Sequence, residues 1–312
     1  MTVTRRRFIA ISAAAMVAPL GGIAASAATE TVTWRGIALG AQASITLKGS
    51  HLAKLDHVVK SVESEISRLE DIFSLYRSNS VISRLNREGQ IATPPPELLQ
   101  VISLVSSVHR QSSGAFDPTV QRLWRLHARA GQEGRQPDTG ELDQVRQLTG
   151  WQHVRYSTTS VRFRRPGMEM TLNGIAQGFV ADRVADLLRR EGFADVLIDM
   201  GEISAQGQRP SGGPWRVGVA DPAGRVVTDI DLSNRALATS SPGGGLPEDK
   251  LHSRHMIDPR TGAPGGEWNL VSVSDAQAAV ADALSTAISL LDRRAAEALM
   301  HGFPGARLEL LS

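Results

Sequence analysis

The sequence predicts an α+β fold with a helix-rich first half and a sheet-rich second half. Apolar residues recur at helical spacing from Leu52 to Ile72, which indicates a long amphipathic helix. Beyond Gly201, short alternating stretches lie between turn residues, a pattern that is typical of sheet. Because helices and strands do not alternate strictly, a regular series of βαβ units is not expected.

In the first half, alternation predicts two short strands over residues 31–47, and the long helix follows them. A polar segment from Ser74 to Asn86 comes next. The remaining expected elements are a helix over 97–112, a break at Gly114–Pro118, a helix through Trp124, a polar surface loop over 130–140 and a hairpin over 154–164.

In the second half, helices are expected between strands. The expected helices cover 175–190, 276–290 and 293–300. The expected strands cover 194–199, 215–220, 228–232, 235–239, 271–273 and 308–310.

Composition places the chain among folded proteins and removes several kinds of chemistry. Of its 312 residues, 41% are hydrophobic and 21% charged, which excludes disorder as the main state. The chain has no cysteine, so any metal must sit on oxygen or imidazole ligands. The net charge is +2 and three positive charges belong to residues 5–7, so the rest carries −1 and nucleic-acid binding is not expected.

The N-terminus has the pattern of a twin-arginine export signal. Arg5 and Arg6 precede an uncharged apolar run from Ile9, which ends in the small residues Ala25-Ser26-Ala27. We therefore expect a removable signal peptide over residues 1–27, recognised by the twin-arginine export machinery, and a periplasmic mature protein. The alternative is an uncleaved N-terminal anchor helix. No cysteine follows the cleavage site, so no lipid anchor is expected.

A single carboxylate inside an apolar helix is the most informative feature. Asp282 lies among alanines, leucine and valine, and a buried, ionised Asp is costly unless a partner compensates it. Thr286 is one turn later, on the same helix face. A carboxylate and a hydroxyl suit a hard cation such as Mg²⁺. The alternatives are an ion pair with one of the many arginines or an exposed position.

Three further segments could carry chemistry, although each also has a structural interpretation. Gly174–Gly178 could bring backbone N–H groups to an anion at a helix N-terminus, or form only a tight turn. His255 could take a proton from a hydroxyl nucleophile, or be a structural histidine beside a turn at Asp258. Asp117 before Pro118 is typical of a helix N-cap.

Taken in order, several segments resemble the ApbE family, the FAD:protein FMN transferases, over about residues 34–300. The segments are Phe73–Ser78, Ser83–Asn86, Gly114–Thr119, Gly174–Gly178 with Asp182, Trp215–Val219 with Asp221 and Pro222, Ala238–Ser240, His255–Pro259 and Ala281–Thr286. The resemblance implies a two-lobe α+β fold around a flavin cleft, formed by residues 28–312. It also implies that Mg²⁺ and the protein hold FAD as a substrate while a Thr or Ser hydroxyl of a target flavoprotein attacks the phosphorus on the FMN side.

The same resemblance implies roles for individual residues. Asp282 and Thr286 would bind Mg²⁺ through their side chains and Gly174 through its carbonyl, and His255 would activate the incoming hydroxyl. The residues expected to line the FAD site are Leu39, Tyr76, Ala115, Phe116, Asp117, Thr171, Gln177 and Met256.

The chain also departs from the pattern usual in the family. Thr171 stands where Asp is usual, Gln177 where Lys or Glu is usual, and Glu202 where Gly is frequent. The form of residues 172–178 resembles the NosX branch, which implies a role in nitrous oxide reduction through a NosR-like flavoprotein. Two other functions stay open, namely an FAD pyrophosphatase and an FAD-binding carrier without turnover.

Overall fold

The computed structural model describes residues 31–48, 55–242, 256–266 and 268–312. The helices are α1 Leu55–Phe73, α2 Val81–Glu88, α3 Pro96–Gln111, α4 Gln121–Gln132, α5 Thr139–Arg146, α6 Ala176–Arg190, α7 Ala278–Ile288 and α8 Arg293–His301. The strands are β1 Thr31–Ala38, β2 Ala41–Lys48, β3 Gln90–Ala92, β4 Val154–Tyr156, β5 Ser160–Phe163, β6 Asp195–Asp199, β7 Ile203–Gln206, β8 Trp215–Ala220, β9 Val226–Leu232, β10 Arg235–Ser240, β11 Val271–Asp275 and β12 Arg307–Leu311.

A seven-stranded antiparallel sheet is the centre of the fold. Its strand order is β1-β2-β6-β7-β10-β11-β12, so the N-terminal hairpin pairs with strands from the second half of the chain. The predicted α+β class is therefore confirmed. The order itself depends on long-range pairing, such as Ile45 opposite Ile198, which no local pattern specifies.

The middle of the sheet is buried on both faces, as the alternation along β6 illustrates. Val196 and Ile198 belong to the main apolar core, which the long helices share. Leu197 between them belongs to a second apolar cluster, formed with the β8–β9 hairpin. Because successive side chains of a strand point to opposite faces, helices cover one face of the sheet and this hairpin covers the other.

Two short helices were not expected from the sequence. α2 lies mostly in the segment predicted only to be polar, where Ser80 caps its first turn by accepting the Ser83 N–H at 3.1 Å. α5 begins inside the predicted loop over 130–140 and has a capping box between Asp138 and Glu141. In both places local capping starts a helix of eight residues. α2 buries Val81, Ile82 and Leu85, whereas α5 buries no side chain.

α6 and α7 cross in close contact, and this crossing positions the candidate site. A Cβ on Gly178 would lie 2.4 Å from the Ala278 carbonyl oxygen, so only glycine allows the two helices to approach this far. Asp182 on α6 holds the start of α7, because its carboxylate accepts the Ala278 and Ala279 N–H groups at 2.7 and 3.0 Å. The two helix N-terminal turns are thereby fixed side by side.

Some predictions concern residues outside the described part of the chain. These are the signal peptide with its boundary at residue 27, the start of the long helix at Leu52, and His255. Across the residues that the structure does describe, no helix combines the length and the apolar character needed to span a membrane.

Candidate active site

Asp282 is buried in the middle of α7, with its side chain directed at the first turn of α6. The Gly178 N–H donates to Asp282 Oδ2 at 3.1 Å. Asp282 is buried, which excludes the exposed position, and no arginine, lysine or histidine within the described ranges forms an ion pair with it. Burial raises the pKa of Asp282 to about 7; the Gly178 N–H lowers it, and the charge of Asp182 adds to the rise.

Thr286 and Gly174 meet beside this carboxylate. A Cβ on Gly174 would lie 2.9 Å from Thr286 Oγ1 and 3.4 Å from the ring of Phe116. The hydroxyl of Thr286 therefore faces the backbone just before α6, at a place where a larger residue would fill the space. Three residues predicted separately from the sequence, namely Gly174, Thr286 and Phe116, are thus brought together.

A second buried acid, Glu202, lies next to Asp282. It follows β6 in the turn to β7 and is 7% exposed. Burial holds its pKa well above the usual range, and the neighbouring charge of Asp282 raises it further. Its Oε2 atom has no hydrogen-bond partner within the described part of the chain. Sequence reasoning noted this residue only as a departure from the family pattern.

These donors fit a small divalent cation. The carboxylates of Asp282 and Glu202, the hydroxyl of Thr286 and the backbone at Gly174 offer only oxygen ligands, which Mg²⁺ prefers. Among the described residues, no three His, Asp or Glu side chains converge as a complete metal site. A cation here would therefore draw its remaining ligands from water or phosphate, as Mg²⁺ commonly does.

Leu39 and Tyr76 form a second part of the site, at the tip of the β1–β2 hairpin. The ring of Tyr76 lies 3.7 Å from the position that a Cβ on Gly40 would take. Tyr76 is 67% exposed. The turn is anchored from α1, because the Leu39 N–H donates to Glu70 Oε1 at 2.7 Å. An exposed aromatic ring held over a fixed turn is suited to stack on a planar ligand.

Ala115, Phe116 and Asp117 are all buried. Asp117 accepts the Thr119 hydroxyl at 2.6 Å and the Trp151 N–H at 2.8 Å, and it caps the short helical turn that follows. The predicted N-cap is confirmed. Its carboxylate thus organises the loop whose Phe116 ring reaches Gly174.

Thr171 and Gln177 lie before and within the first turn of α6, and both are partly buried. Thr171 Oγ1 accepts the Asn173 N–H at 3.2 Å, while Gln177 Nε2 donates to the Met200 carbonyl at 3.3 Å. Gln177 thereby ties α6 to the turn that carries Glu202. These neutral side chains position the backbone of the site and bring no charge to it.

Met256 begins a segment that packs on the C-terminal end of α7. The Gly265 N–H donates to the Met256 carbonyl at 2.9 Å, and Arg260 Nη2 donates to the Leu290 carbonyl at 2.7 Å. Asp258 is occupied by Arg260, with Oδ2 2.8 Å from Nη2. His255, the predicted base, lies outside the described residues.

Long-range packing brings in three residues that sequence reasoning did not place in the site. Gly178 supplies the N–H to Asp282, Asp182 accepts the first N–H groups of α7, and Glu202 is close enough to Asp282 for its pKa to be raised by the charge of Asp282. Gly178 and Asp182 were visible as parts of a motif. Glu202 was noted in the sequence only as a departure from the family pattern.

Comparison with solved structures gives the class of protein. The chain superposes on the flavin transferase ApbE from Vibrio cholerae with a TM-score of 0.78 at 25% identity, covering 88% of this chain and 92% of that one. An ApbE protein from Thermotoga maritima matches with a TM-score of 0.78 at 26% identity, covering 90% and 94%. The fold is thus that of the bacterial flavin transferases.

This chain belongs to the ApbE family, whose sequence model matches residues 39–307. An FAD:protein FMN transferase from Vibrio cholerae serotype O1 is 30% identical over 247 residues, covering 74% of each chain. An enzyme of the same name from Escherichia coli K12 is 25% identical over 280 residues, covering 85% of this chain and 79% of its own. The predicted family is confirmed.

The raised pKa of Asp282 predicts how stability depends on pH without cations. Because the folded-state pKa of about 7 exceeds the ordinary 3.8, the protonated form stabilises the folded chain below about pH 4. This stabilisation is lost as pH rises through 7. Asp282→Asn, neutral throughout, should therefore gain stability relative to the wild type, on the order of 4 kcal/mol by pH 8.

The measurement is urea unfolding in chelator from pH 4.5 to 8. Asp292→Asn is the matched control, since Asp292 is an exposed cap of α8 that accepts the Ala295 N–H. A difference between Asp282→Asn and wild type that stays constant with pH would contradict the assignment of the raised pKa.

Proposed function

We propose that this chain transfers the FMN half of FAD to a threonine or serine hydroxyl of a target flavoprotein and releases AMP. The family match and relatives named FAD:protein FMN transferase support this activity. The observation that carries the proposal is the buried Asp282, with Thr286 one turn later facing Gly174 before α6. This arrangement suits the holding of a cation and a phosphate ester.

The reaction is a phosphoryl-group transfer without an enzyme nucleophile. The acceptor oxygen forms a bond to the phosphorus next to the riboflavin part, while the bond from that phosphorus to the oxygen bridging to the AMP phosphate breaks. AMP departs with the bridging oxygen and its electron pair, and the hydroxyl proton passes to a base. Such transfers depend mainly on positioning and on charge neutralisation.

In this proposal Asp282 and Thr286 hold Mg²⁺ through their side chains, and Gly174 does so through its carbonyl. A bound Mg²⁺ would neutralise charge on the pyrophosphate oxygens. Gly178 fixes the orientation of the Asp282 carboxylate through its N–H. His255 accepts the proton of the acceptor hydroxyl.

The flavin part would lie between the hairpin tip and the start of α6. Tyr76 and Leu39 offer apolar surface at the tip, and Phe116 closes the other side near Gly174. The other residues assigned to this surface are Ala115, Asp117, Thr171, Gln177 and Met256.

We place the enzyme in the periplasm, because the N-terminal sequence has the twin-arginine pattern. Changing both Arg5 and Arg6 to Lys should trap the precursor in the cytoplasm, since the export machinery reads the arginine pair. Fractionation followed by immunoblotting measures this. Normal periplasmic accumulation of the double variant would rule out this export route.

The target we propose is a flavoprotein similar to NosR, acting in nitrous oxide reduction. The support is the sequence form of residues 172–178, which resembles the NosX branch. A bacterial strain that lacks this protein should then produce the NosR-like protein without covalent flavin. In-gel flavin fluorescence measures whether the flavin is attached.

Product analysis separates the proposed activity from its two alternatives. Purified protein is mixed with FAD and Mg²⁺, with and without an acceptor domain, and AMP and FMN are separated by chromatography. A transferase releases AMP only when acceptor is present and produces no matching free FMN. Equal AMP and free FMN without acceptor would indicate a pyrophosphatase, and intact, bound FAD under all conditions would indicate a carrier.

A further inference from the structure

Glu202 is a buried acid whose carboxylate is only partly satisfied. It lies in the turn between β6 and β7, where its carbonyl accepts the Met200 N–H at 3.0 Å. Only 7% of the residue is exposed. A hydrogen bond from the Thr239 backbone N–H lowers the pKa of the Glu202 carboxyl, while Oε2 has no hydrogen-bond partner in the described residues.

The Glu202 carboxyl interacts with Thr239 on β10 and with Asp282 on α7, two elements that are themselves held together. Ser240 on β10 and Ser285 on α7 share a hydroxyl hydrogen bond of 2.8 Å, which holds these two elements together. Gln177 on α6 holds the turn of Glu202 through the Met200 carbonyl. The neighbouring carboxylate is that of Asp282, and its charge raises the pKa of Glu202.

Among the residues that the structure describes, no positive side chain pairs with either of these acids. Two buried carboxylates without a counter-charge repel one another and are poorly solvated. A divalent cation between them would satisfy the unpartnered Oε2 and both charges together.

We propose that Glu202 supplies a second carboxylate to the cation site built around Asp282 and Thr286. This inference rests on the function proposed above and deepens its metal site. With two carboxylates, the protein would neutralise a divalent cation before the phosphates arrive. The chain would then bind the cation in the absence of FAD more tightly than a site with Asp282 alone.

Cation binding tests this inference without any measurement of turnover. Mn²⁺ is titrated into the purified protein, alone and with FAD, and free Mn²⁺ is followed by electron paramagnetic resonance. Glu202→Gln keeps the shape of the side chain and removes its charge, and it should weaken Mn²⁺ affinity by about 10- to 100-fold. Glu202→Asp, which keeps a carboxylate, should bind more tightly than Glu202→Gln.

Melting temperatures supply a second readout that also reports folding. In chelator, Glu202→Gln should melt at or above the wild-type temperature, because a buried unpartnered charge has been removed. Added Mg²⁺ should raise the melting temperature of the wild type more than that of the variant. Glu169→Gln is the matched control, since Glu169 is equally buried but pairs with Arg122 and Arg125. It should lose stability and keep wild-type Mn²⁺ affinity.

The possible outcomes separate this inference from the proposed function. If Glu202→Gln binds Mn²⁺ as the wild type does while Asp282→Asn does not, Glu202 is no ligand and the proposed function stands. If the wild type binds no Mn²⁺ with or without FAD, the cation site and this inference both fail. Weaker binding in Glu202→Asp than in Glu202→Gln would also overturn it.

Discussion

Asp282→Asn is expected to reduce FMN transfer by roughly 10²- to 10³-fold, the scale of losing one preorganised charge stabiliser. Asn keeps an acceptor for the Gly178 N–H, which donates to Asp282 Oδ2 at 3.1 Å, so the crossing of α6 and α7 should persist. The change therefore removes charge at the proposed cation site with little change of shape. The measurement is the initial rate of covalent flavin formation on an acceptor across a magnesium titration.

Asp282→Ala is the less informative substitution, because it would leave the buried Gly178 N–H without an acceptor. Asp292→Asn provides the matched control, as the same change ten residues further on at an exposed helix cap. It should leave the magnesium dependence as in the wild type. An unchanged rate and magnesium dependence in Asp282→Asn would remove Asp282 from the cation site.

His255→Ala is expected to lower FMN transfer by about 10²- to 10⁴-fold while FAD affinity stays within a few-fold. A hydroxyl is a weak nucleophile at neutral pH, so removing the base that takes its proton slows attack. His255 directly precedes Met256, which leads into the segment packed on the end of α7. The measurements are a flavin-fluorescence binding curve and an in-gel assay of covalent flavin.

His127→Ala is a suitable control, because His127 holds the same segment in a structural way. Its Nε2 lies 2.8 Å from the Gly262 carbonyl, which makes it a support for the loop. This variant should lose some stability and still transfer FMN. Transfer at the wild-type rate in His255→Ala would mean that a group other than His255 takes the proton of the attacking hydroxyl.

Local patterns predicted most of the long elements. The apolar period of α1 and the alternation in β2 are strong, because each element buries one face or stripe against the core. β6 is a continuous apolar run, because it is buried on both faces. α5 was missed because polar capping starts it and it buries no side chain. α2 buries Val81, Ile82 and Leu85, but these three residues lie within a segment that is otherwise polar. The strand order depends on pairing between distant segments, and no local pattern carries that information.

The residues of the candidate site divide in the same way, into those with a local sequence signal and those that long-range packing brings in. Asp282 could be singled out from the sequence, because an acid in an apolar helix needs a compensating partner. The identity of that partner could not, since Gly178 is 104 residues away along the chain. Glu202 likewise became a site residue only when the β6–β7 turn was placed against α7.

The most direct test of the central claim is the intact mass of an acceptor protein after incubation with this enzyme, FAD and Mg²⁺. The acceptor is a flavin-free domain whose surface threonine is the attachment point. We expect its mass to rise by one FMN less one water, with one AMP released per acceptor, and no rise when that threonine is alanine. An acceptor of unchanged mass, beside intact FAD or free FMN, would contradict FMN transfer as the activity.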